Sequence, residues 1–285
     1  MAERKVNFKS HDGTALVGLF GNASAEKPKG LVVLTHGIPS NKDEGGFYVR
    51  LCARLNAIGF DTFRFDFRYM GESTGGSHTL LTLDNVTEDI DSAYLTALNC
   101  RPRIEYDGVY AVGISCGGGV LLKWADDFRR ADVVKRLVML CPVLDYVYEC
   151  TGYVKQDYEK HKAEIARCIA ECGYVKDRDT EYGDGFLRSA LRFDAVTVAK
   201  TCRIPIDVYH GTDDLSVPIE LSRRFVSETG DVARIIEMDG IGHGFSCPAN
   251  AESGEPISEN VRNEIKAKAQ SFVIDGIVSA LVNRK

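Results

Sequence analysis

The chain has 285 residues, of which 44% are hydrophobic and 27% are charged, and its formal net charge is -6. This composition is typical of a globular protein and excludes a disordered or fibrous one. Because the sequence has no cluster of five or more Lys and Arg, we expect no nucleic-acid partner. The start, MAERKVNFKS, lacks the apolar part of a signal peptide, and no apolar run reaches the ~18 residues of a membrane span. We therefore expect a cytoplasmic protein that does not enter a membrane.

The first elements predicted along the chain are an antiparallel hairpin and a series of alternating strands and helices. The runs 6–10 and 15–21 flank His-Asp-Gly-Thr, and Asp-Gly between two such runs is typical of a hairpin. Short β-type runs then alternate with longer periodic stretches, which favours a mostly parallel sheet with helices on both faces. The predicted strands are 31–35, 61–65, 109–112, 136–141, 206–210 and 234–238, and the periodic stretches are 48–58, 86–98, 120–124, 219–229 and 261–281.

One interruption in this alternation, from Pro142 to Lys200, is far longer than an ordinary connection between sheet elements. We interpret it as an inserted cap. The predicted organisation is therefore a core of residues 1–141 and 201–285 with a cap of residues 142–200.

Nine cysteines, an odd number, are scattered along the chain, which favours reduced thiols over a disulfide framework. Cys168 and Cys172 could share one face of a helix with His161 upstream, but no second pair completes a tetrahedral set. We therefore predict no metal site.

Two adjacent side chains, Ser115 and Cys116, are candidate nucleophiles in the segment Gly-Ile-Ser-Cys-Gly-Gly-Gly between a strand and a helix. The G-x-S-x-G pattern predicts a strained turn, in which the residues two before and two after the nucleophile must lack side chains. Ser115 has Gly113 and Gly117 at these positions, whereas Cys116 has Ile114 and Gly118. The spacing therefore favours Ser115.

A serine nucleophile requires a base, and the base requires an acid, in the chain order Ser, Asp or Glu, His. His243 lies between two glycines after the last predicted strand, a poor position for core packing, so we predict that it is the base. Asp213 and Asp214 both follow the strand 206–210, and their chemistry alone does not separate them. The loop after strand 31–35 should supply a second backbone donor to an oxyanion, so the N–H groups of Ile38 and Cys116 are the predicted donors. His36 is expected to orient this loop.

Five blocks make the chain similar to the α/β-hydrolases: LTHGIPSNKDE, FRFDFRYMGESTGG, VGISCGGG, HGTDDLSVP and GHGF. Within this superfamily it resembles the capped bacterial feruloyl/cinnamoyl esterases over about residues 31–245. The resemblance implies the α/β-hydrolase fold, supports Ser115 and His243, and maps the acid onto Asp214. The chain departs from the esterase pattern at Cys116 and in the loop Arg68–Gly71, both expected at the pocket wall.

The predicted activity is hydrolysis of a carboxylic ester through an acyl-enzyme, without a metal or organic cofactor. A small-molecule ester is the expected partner, and the sequence leaves a homodimer open. Thioesterases, acyltransferases and small peptidases use the same residues, and a silent binding protein on this scaffold is the alternative of another class. The predicted cap is rich in tyrosine, which could line a pocket for a hydroxycinnamoyl or a short-to-medium acyl group. The predicted substrate-binding residues are Tyr69, Tyr146, Tyr153 and Tyr182.

Overall fold

A computed structural model describes residues 3–73, 75–177, 180–247 and 257–283. The strands are β1 Arg4–Lys9, β2 Ala15–Gly21, β3 Leu31–Thr35, β4 Asp61–Asp66, β5 Val109–Ile114, β6 Val134–Leu140, β7 Tyr174–Asp177, β8 Thr180–Gly183, β9 Ile206–Gly211 and β10 Ala233–Met238. The helices are α1 Phe47–Ala57, α2 Leu83–Cys100, α3 Cys116–Asp127, α4 Tyr146–Thr151, α5 Tyr158–Cys172, α6 Asp184–Arg192, α7 Ala195–Cys202, α8 Ile219–Thr229 and α9 Glu259–Val282.

Eight strands form one sheet in the order β1-β2-β4-β3-β5-β6-β9-β10. The pairs β1/β2 and β2/β4 are antiparallel, and all other neighbours are parallel. This confirms the predicted N-terminal hairpin and the mostly parallel sheet. Since the carboxyl ends of parallel strands meet at one edge, the loops after β3, β5, β6, β9 and β10 lie close together there.

Each face of the sheet carries its own apolar core. Val33 of β3 points into a core formed with α2, α3 and α8, whereas its neighbours Val32 and Leu34 point into a second core formed with α1 and α9. A parallel strand covered by helices on both faces is apolar along its whole length, and all five residues of β3 are buried. The two cores fix the sheet on both faces and so hold its carboxyl edge in place.

The segment between β6 and β9, called the inserted segment below because it interrupts the alternation of sheet strands and helices, contains α4, α5, the antiparallel pair β7 and β8, α6 and α7. Residues 178 and 179, within the predicted cap, lie outside the described residues. The predicted cap boundary at residue 200 falls inside α7, and α7 packs against α3 and α8. Within the described ranges, no helix is both long and apolar enough to cross a membrane.

Candidate active site

Ser115 occupies a sharp turn between β5 and α3. Its backbone has φ 54° and ψ -127°, a conformation that L-residues adopt only under constraint. A Cβ added at Gly113 would lie 2.3 Å from the carbonyl oxygen of Gly117, and one added at Gly117 would lie 2.3 Å from that of His36. The glycine spacing that favoured Ser115 therefore has a steric cause, because a side chain at either position would collide with backbone.

The glycine run at the start of α3 lets this helix approach the segment that follows β6. A Cβ added at Gly119 would lie 1.8 Å from the carbonyl oxygen of Val143, so even alanine at this position would clash with backbone. The hydroxyl of Tyr146 donates to the carbonyl oxygen of Cys116 across the same contact. The first turn of α3 is thus packed tightly under the first residues of the inserted segment.

His243 lies after β10, at the start of a short 3₁₀ turn, His243–Phe245. Its Nε2 lies 3.1 Å from Ser115 Oγ, and its Nδ1 lies 2.7 Å from Asp214 Oδ2. In the neutral ring, Nδ1–H donates to the carboxylate and Nε2 accepts from the serine hydroxyl. The structure therefore brings together the three residues singled out in the sequence.

The carboxylate of Asp214 is held by a turn between β9 and α8. Its Oδ1 accepts the backbone N–H groups of Ser216 and Val217 at 2.9 and 2.8 Å, and His210 Nε2 lies 3.3 Å from Oδ2. Burial alone would raise the pKa of Asp214, but these donors and His243 outweigh it and hold the pKa well below its ordinary range. Asp214 is therefore a fixed carboxylate beside the imidazole.

The neighbouring acid, Asp213, has a different environment. Its side chain is exposed and its Oδ1 accepts from the hydroxyl of Thr212 at 3.1 Å. Of the two acids that residue chemistry left open, only Asp214 contacts His243.

A third group, Cys141, packs against the imidazole. It is the first residue after β6 and is buried, and its Sγ, a carboxylate oxygen of Asp214 and a ring nitrogen of His243 all lie within 4.8 Å of one another. Such a set of ligand types could also hold a metal ion. Burial disfavours the imidazolium, but the contacts with Cys141 and Asp214 outweigh it and raise the pKa of His243 above its ordinary value.

The loop after β3 is held by His36, as the sequence predicted for this residue. His36 is buried; its Nε2 accepts the N–H of Phe67 at 2.9 Å and its Nδ1–H donates to the carbonyl oxygen of Gly37 at 2.7 Å. Burial lowers the pKa of His36 to about 4, so the ring is neutral near pH 7. Because the Gly37 carbonyl and the Ile38 N–H belong to one planar peptide, this bond also directs the N–H to the opposite side.

A cavity of about 340 Å³ opens over these groups. Ile38, Ser115 and His243 are in its wall, and so are Glu149 of α4 and Thr180 of β8 from the inserted segment. The other lining residues are Gly37, Pro39, Ser40, Glu44, Ile114, Ser216 and Gly244. The inserted segment thus supplies part of the wall.

None of the four tyrosines predicted to bind substrate is among the described lining residues. Tyr182 is buried behind the wall and donates to Glu149 Oε1 at 2.9 Å, and Tyr146 donates to the Cys116 carbonyl. Tyr153 stacks on His161 with ring centroids 3.6 Å apart, and Tyr69 packs over Gly76, where an added Cβ would lie 2.3 Å from its ring. Tyr146 and Tyr182 therefore support the cavity from behind.

The sequence reasoning did not identify two acids in this cavity, Glu44 and Glu149. Glu149 also accepts a hydrogen bond from the Cys116 thiol at 3.5 Å. The side chain of Cys116, where the chain departs from the esterase pattern, therefore contacts a residue of the cavity wall. Glu44 is the last residue of the block LTHGIPSNKDE, which carried the family resemblance, but the acids of this block were not assigned a role. For Glu149 the available signal was an acid in an otherwise apolar stretch before a turn.

Comparisons with known proteins agree with this architecture. A family model described as "Serine aminopeptidase, S33" matches residues 26–173, just over half of the chain. The quorum-quenching protein AidA of Acinetobacter baumannii is 31% identical over 144 residues, which are 49% of this chain and 44% of that protein. The match thus spans less than half the length of that relative.

Solved structures with the same fold cover nearly the whole chain. Est1E from Butyrivibrio proteoclasticus, solved with ferulic acid bound, has a TM-score of 0.68 at 18% identity over 96% of this chain and 99% of that one. DcsB, solved with a substrate analogue, has a TM-score of 0.70 at 16% identity over 99% of each chain. The esterase domain of a Rhodothermus marinus protein has a TM-score of 0.62 at 18% identity over 95% of this chain and 99% of that one.

These likenesses confirm the predicted α/β-hydrolase fold. Since the family model also covers more than half of the sequence, this chain belongs to the S33 serine aminopeptidase family and is a serine hydrolase of the α/β-hydrolase superfamily.

Proposed function

We propose that this protein hydrolyses a carboxylic ester through an acyl-enzyme on Ser115, with His243 as base and Asp214 as the acid that holds it. The observation that carries the proposal is the continuous relay from Ser115 Oγ to His243 Nε2 at 3.1 Å and from His243 Nδ1 to Asp214 Oδ2 at 2.7 Å. A hydroxyl becomes a useful nucleophile at neutral pH when such a base takes its proton. The strained backbone of Ser115 supports the same role, because it presents the hydroxyl at the cavity.

In the proposed first step Ser115 Oγ attacks the ester carbonyl carbon while its proton passes to His243 Nε2. The carbonyl oxygen becomes negative and is bound by the backbone N–H groups of Ile38 and Cys116. No described residue accepts a hydrogen bond from the Ile38 N–H, which is therefore available to an oxyanion. The imidazolium then gives the proton to the leaving alcohol, and water releases the acyl group by the same route.

The size of the cavity supports a small substrate. At about 340 Å³ it lies at the lower end of the range of ~300–1,000 Å³ found for pockets that hold small molecules. A short-to-medium acyl group or a single hydroxycinnamoyl group suits this volume. Est1E, which shares the fold, was solved with ferulic acid bound, which supports including hydroxycinnamoyl esters among the substrates.

Two measurements test the proposal. A panel of p-nitrophenyl esters of graded chain length, methyl ferulate, an acyl thioester and an aminoacyl anilide separates ester from thioester and peptide chemistry. We expect turnover of the esters to exceed that of the anilide, and mass spectrometry to locate a fluorophosphonate adduct on Ser115. Absence of the adduct in folded protein, or an ester turnover that survives Ser115→Ala, would overturn the proposal.

A further inference from the structure

Glu44 lies beside the nucleophile in an unusual backbone conformation. It begins the 3₁₀ turn Glu44–Gly46 between β3 and α1, and its φ of 45° is followed by 58° at Gly45 and 87° at Gly46. Glycine adopts such left-handed conformations at little cost, but glutamate does not. The fold therefore holds Glu44 in a strained position, which requires compensating contacts of its side chain.

The side chain makes those contacts with the loop after β3. Glu44 Oε1 accepts the N–H of Gly37 at 2.6 Å, and the hydroxyl of Ser40 also donates to the carboxylate. Burial raises the pKa of Glu44, while these two bonds and the nearby His243 oppose the rise. Because the Gly37 N–H lies in the plane of its peptide, an acceptor that binds it at 2.6 Å fixes the orientation of that peptide, so this contact is well suited to hold the loop.

Gly37 is thereby held on both sides. Its N–H is bound by Glu44 and its carbonyl oxygen by His36 Nδ1, at 2.6 and 2.7 Å. With both peptide planes fixed, the backbone dihedral angles of Gly37 are fixed too, although glycine is the residue with the widest conformational freedom. The direction of the following N–H, that of Ile38, is then set before any substrate binds.

The charge of Glu44 does not favour the reaction. Glu44 lines the same cavity as Ile38 and Ser115, so its carboxylate shares the site in which the oxyanion would form. Two negative charges in one partly buried site repel each other. The position of Glu44 is therefore explained by its acceptor oxygen and not by its charge.

We propose that Glu44 is a positioning residue of the oxyanion hole, which holds the Gly37 amide and so directs the Ile38 N–H at the reacting carbonyl. The inference rests on the proposed function, since it assumes that an oxyanion forms at this place. The role depends on a side-chain oxygen of Glu44 that accepts the Gly37 N–H. Glutamine has an equivalent acceptor oxygen without the negative charge, so Glu44→Gln separates the hydrogen bond from the charge.

The experiment compares Glu44→Gln with Glu44→Ala. Loss of one oxyanion donor costs ~10²–10³ in kcat, so a misdirected donor in Glu44→Ala should cost about 10- to 100-fold in kcat with KM nearly unchanged. Glu44→Gln keeps the acceptor and should retain the wild-type kcat or exceed it. A Gln variant as impaired as the Ala variant, or an Ala variant with wild-type kcat, would overturn the inference.

A pH profile tests whether Glu44 carries its charge beside the base. The groups that face His243 are Asp214, Cys141, Ser115 and Glu44. A nearby negative charge favours the imidazolium, so Glu44→Gln should lower the pKa of His243 and move the acid limb of kcat/KM to lower pH. An unmoved limb would contradict the placement of the charge beside the base.

A measurement without substrate distinguishes failure of this inference from failure of the proposed function. In a ¹⁵N–¹H spectrum of the wild type, the chemical shift of the Gly37 amide should change with pH as Glu44 titrates. Hydrogen exchange of this amide with solvent should be slow in the wild type and in Glu44→Gln, but not in Glu44→Ala. If the wild type shows no Ser115-dependent ester turnover, the proposed function fails, and the amide data still decide whether Glu44 holds Gly37. Equal exchange rates in all three proteins would overturn the contact itself.

Discussion

The imidazole of His36 donates through Nδ1 to the carbonyl oxygen of its own neighbour, Gly37, at 2.7 Å, while its Nε2 accepts the N–H of Phe67 at 2.9 Å. Only the neutral ring with its proton on Nδ1 can make both bonds. The loop that carries the Ile38 N–H therefore depends on the protonation state of a histidine that does not face the cavity.

This dependence predicts a loss of stability at mildly acidic pH. Burial lowers the pKa of His36 from 6.5 to about 4, so the folded state disfavours a proton that the unfolded chain accepts. The stabilisation is present above pH 6.5 and is lost as the pH falls toward 4. Between pH 7 and pH 5 the wild type should lose about 2 kcal/mol more unfolding free energy than His36→Gln, which can form both bonds without titrating. Urea unfolding at the two pH values measures this difference, and an equal loss in both proteins would contradict it.

Replacing Ser115 and replacing Cys116, the two adjacent candidate nucleophiles, should affect kcat very differently. Ser115→Ala should lower kcat by at least about 10³-fold, because it removes the hydroxyl that lies 3.1 Å from His243 Nε2 and is the proposed nucleophile. Cys116→Ala should keep kcat within about tenfold, since the backbone N–H remains and Glu149 keeps its bond from Tyr182. Steady-state kinetics on one ester decides the matter. An active Ser115→Ala beside an inactive Cys116→Ala would invert the assignment.

The two neighbouring acids provide a matched pair of variants. Asp214→Asn removes the charge that fixes the proton on His243 Nδ1 and should lower kcat by about 10⁴-fold, as for other triad acids. Asp213→Asn changes an exposed side chain and should stay within a few-fold of the wild type. The ratio of the two kcat values is the measurement. Comparable losses in both variants would show that the turn, and not Asp214, is what the base requires.

The pKa of His243 predicts the acid limb of the pH profile. The contacts with Cys141 and Asp214 raise this pKa above the ordinary 6.5, so kcat/KM should fall as the pH drops through a midpoint above 6.5. Cys141→Ala removes one group that stabilises the imidazolium and should move the midpoint to lower pH while most activity remains at neutral pH. An unchanged midpoint in this variant would argue that the thiol does not influence the base.

Gly117, two residues after the nucleophile, should not tolerate a side chain without a cost in stability. In Gly117→Ala the new Cβ would lie 2.3 Å from the His36 carbonyl oxygen, so backbone must shift in both segments of the site. We expect a loss of about 1–3 kcal/mol in the free energy of unfolding, together with a fall in kcat. Gly185→Ala in α6 is the control, because its nearest neighbour is the methyl group of Thr82 at 3.1 Å. Thermal unfolding of the two variants compares the costs, which should differ clearly.

The fold could be predicted from the sequence because its signals are local and repeated. The apolar strand of β3 and the periodicity of α8 each specify an element without knowledge of distant residues, and α8 spans the stretch 219–229 predicted for it. The turn at the nucleophile could be predicted for a similar reason. A side chain at Gly113 or Gly117 would clash with backbone atoms whose positions follow from the strand-turn-helix geometry.

The sequence by itself therefore determined the architecture, the choice of Ser115 over Cys116 and the place of His243. The architecture follows from hydrophobic periodicity, and the two residues follow from the glycines around them. Residue chemistry did not separate Asp213 from Asp214, and the family resemblance pointed to Asp214; the tertiary structure shows that Asp214 contacts the base, because neighbouring residues of one turn point in different directions. It also decided that Glu44 and Glu149, and not the four tyrosines, border the cavity. Which side chains meet across segments far apart in sequence depends on packing, and composition or periodicity does not encode it.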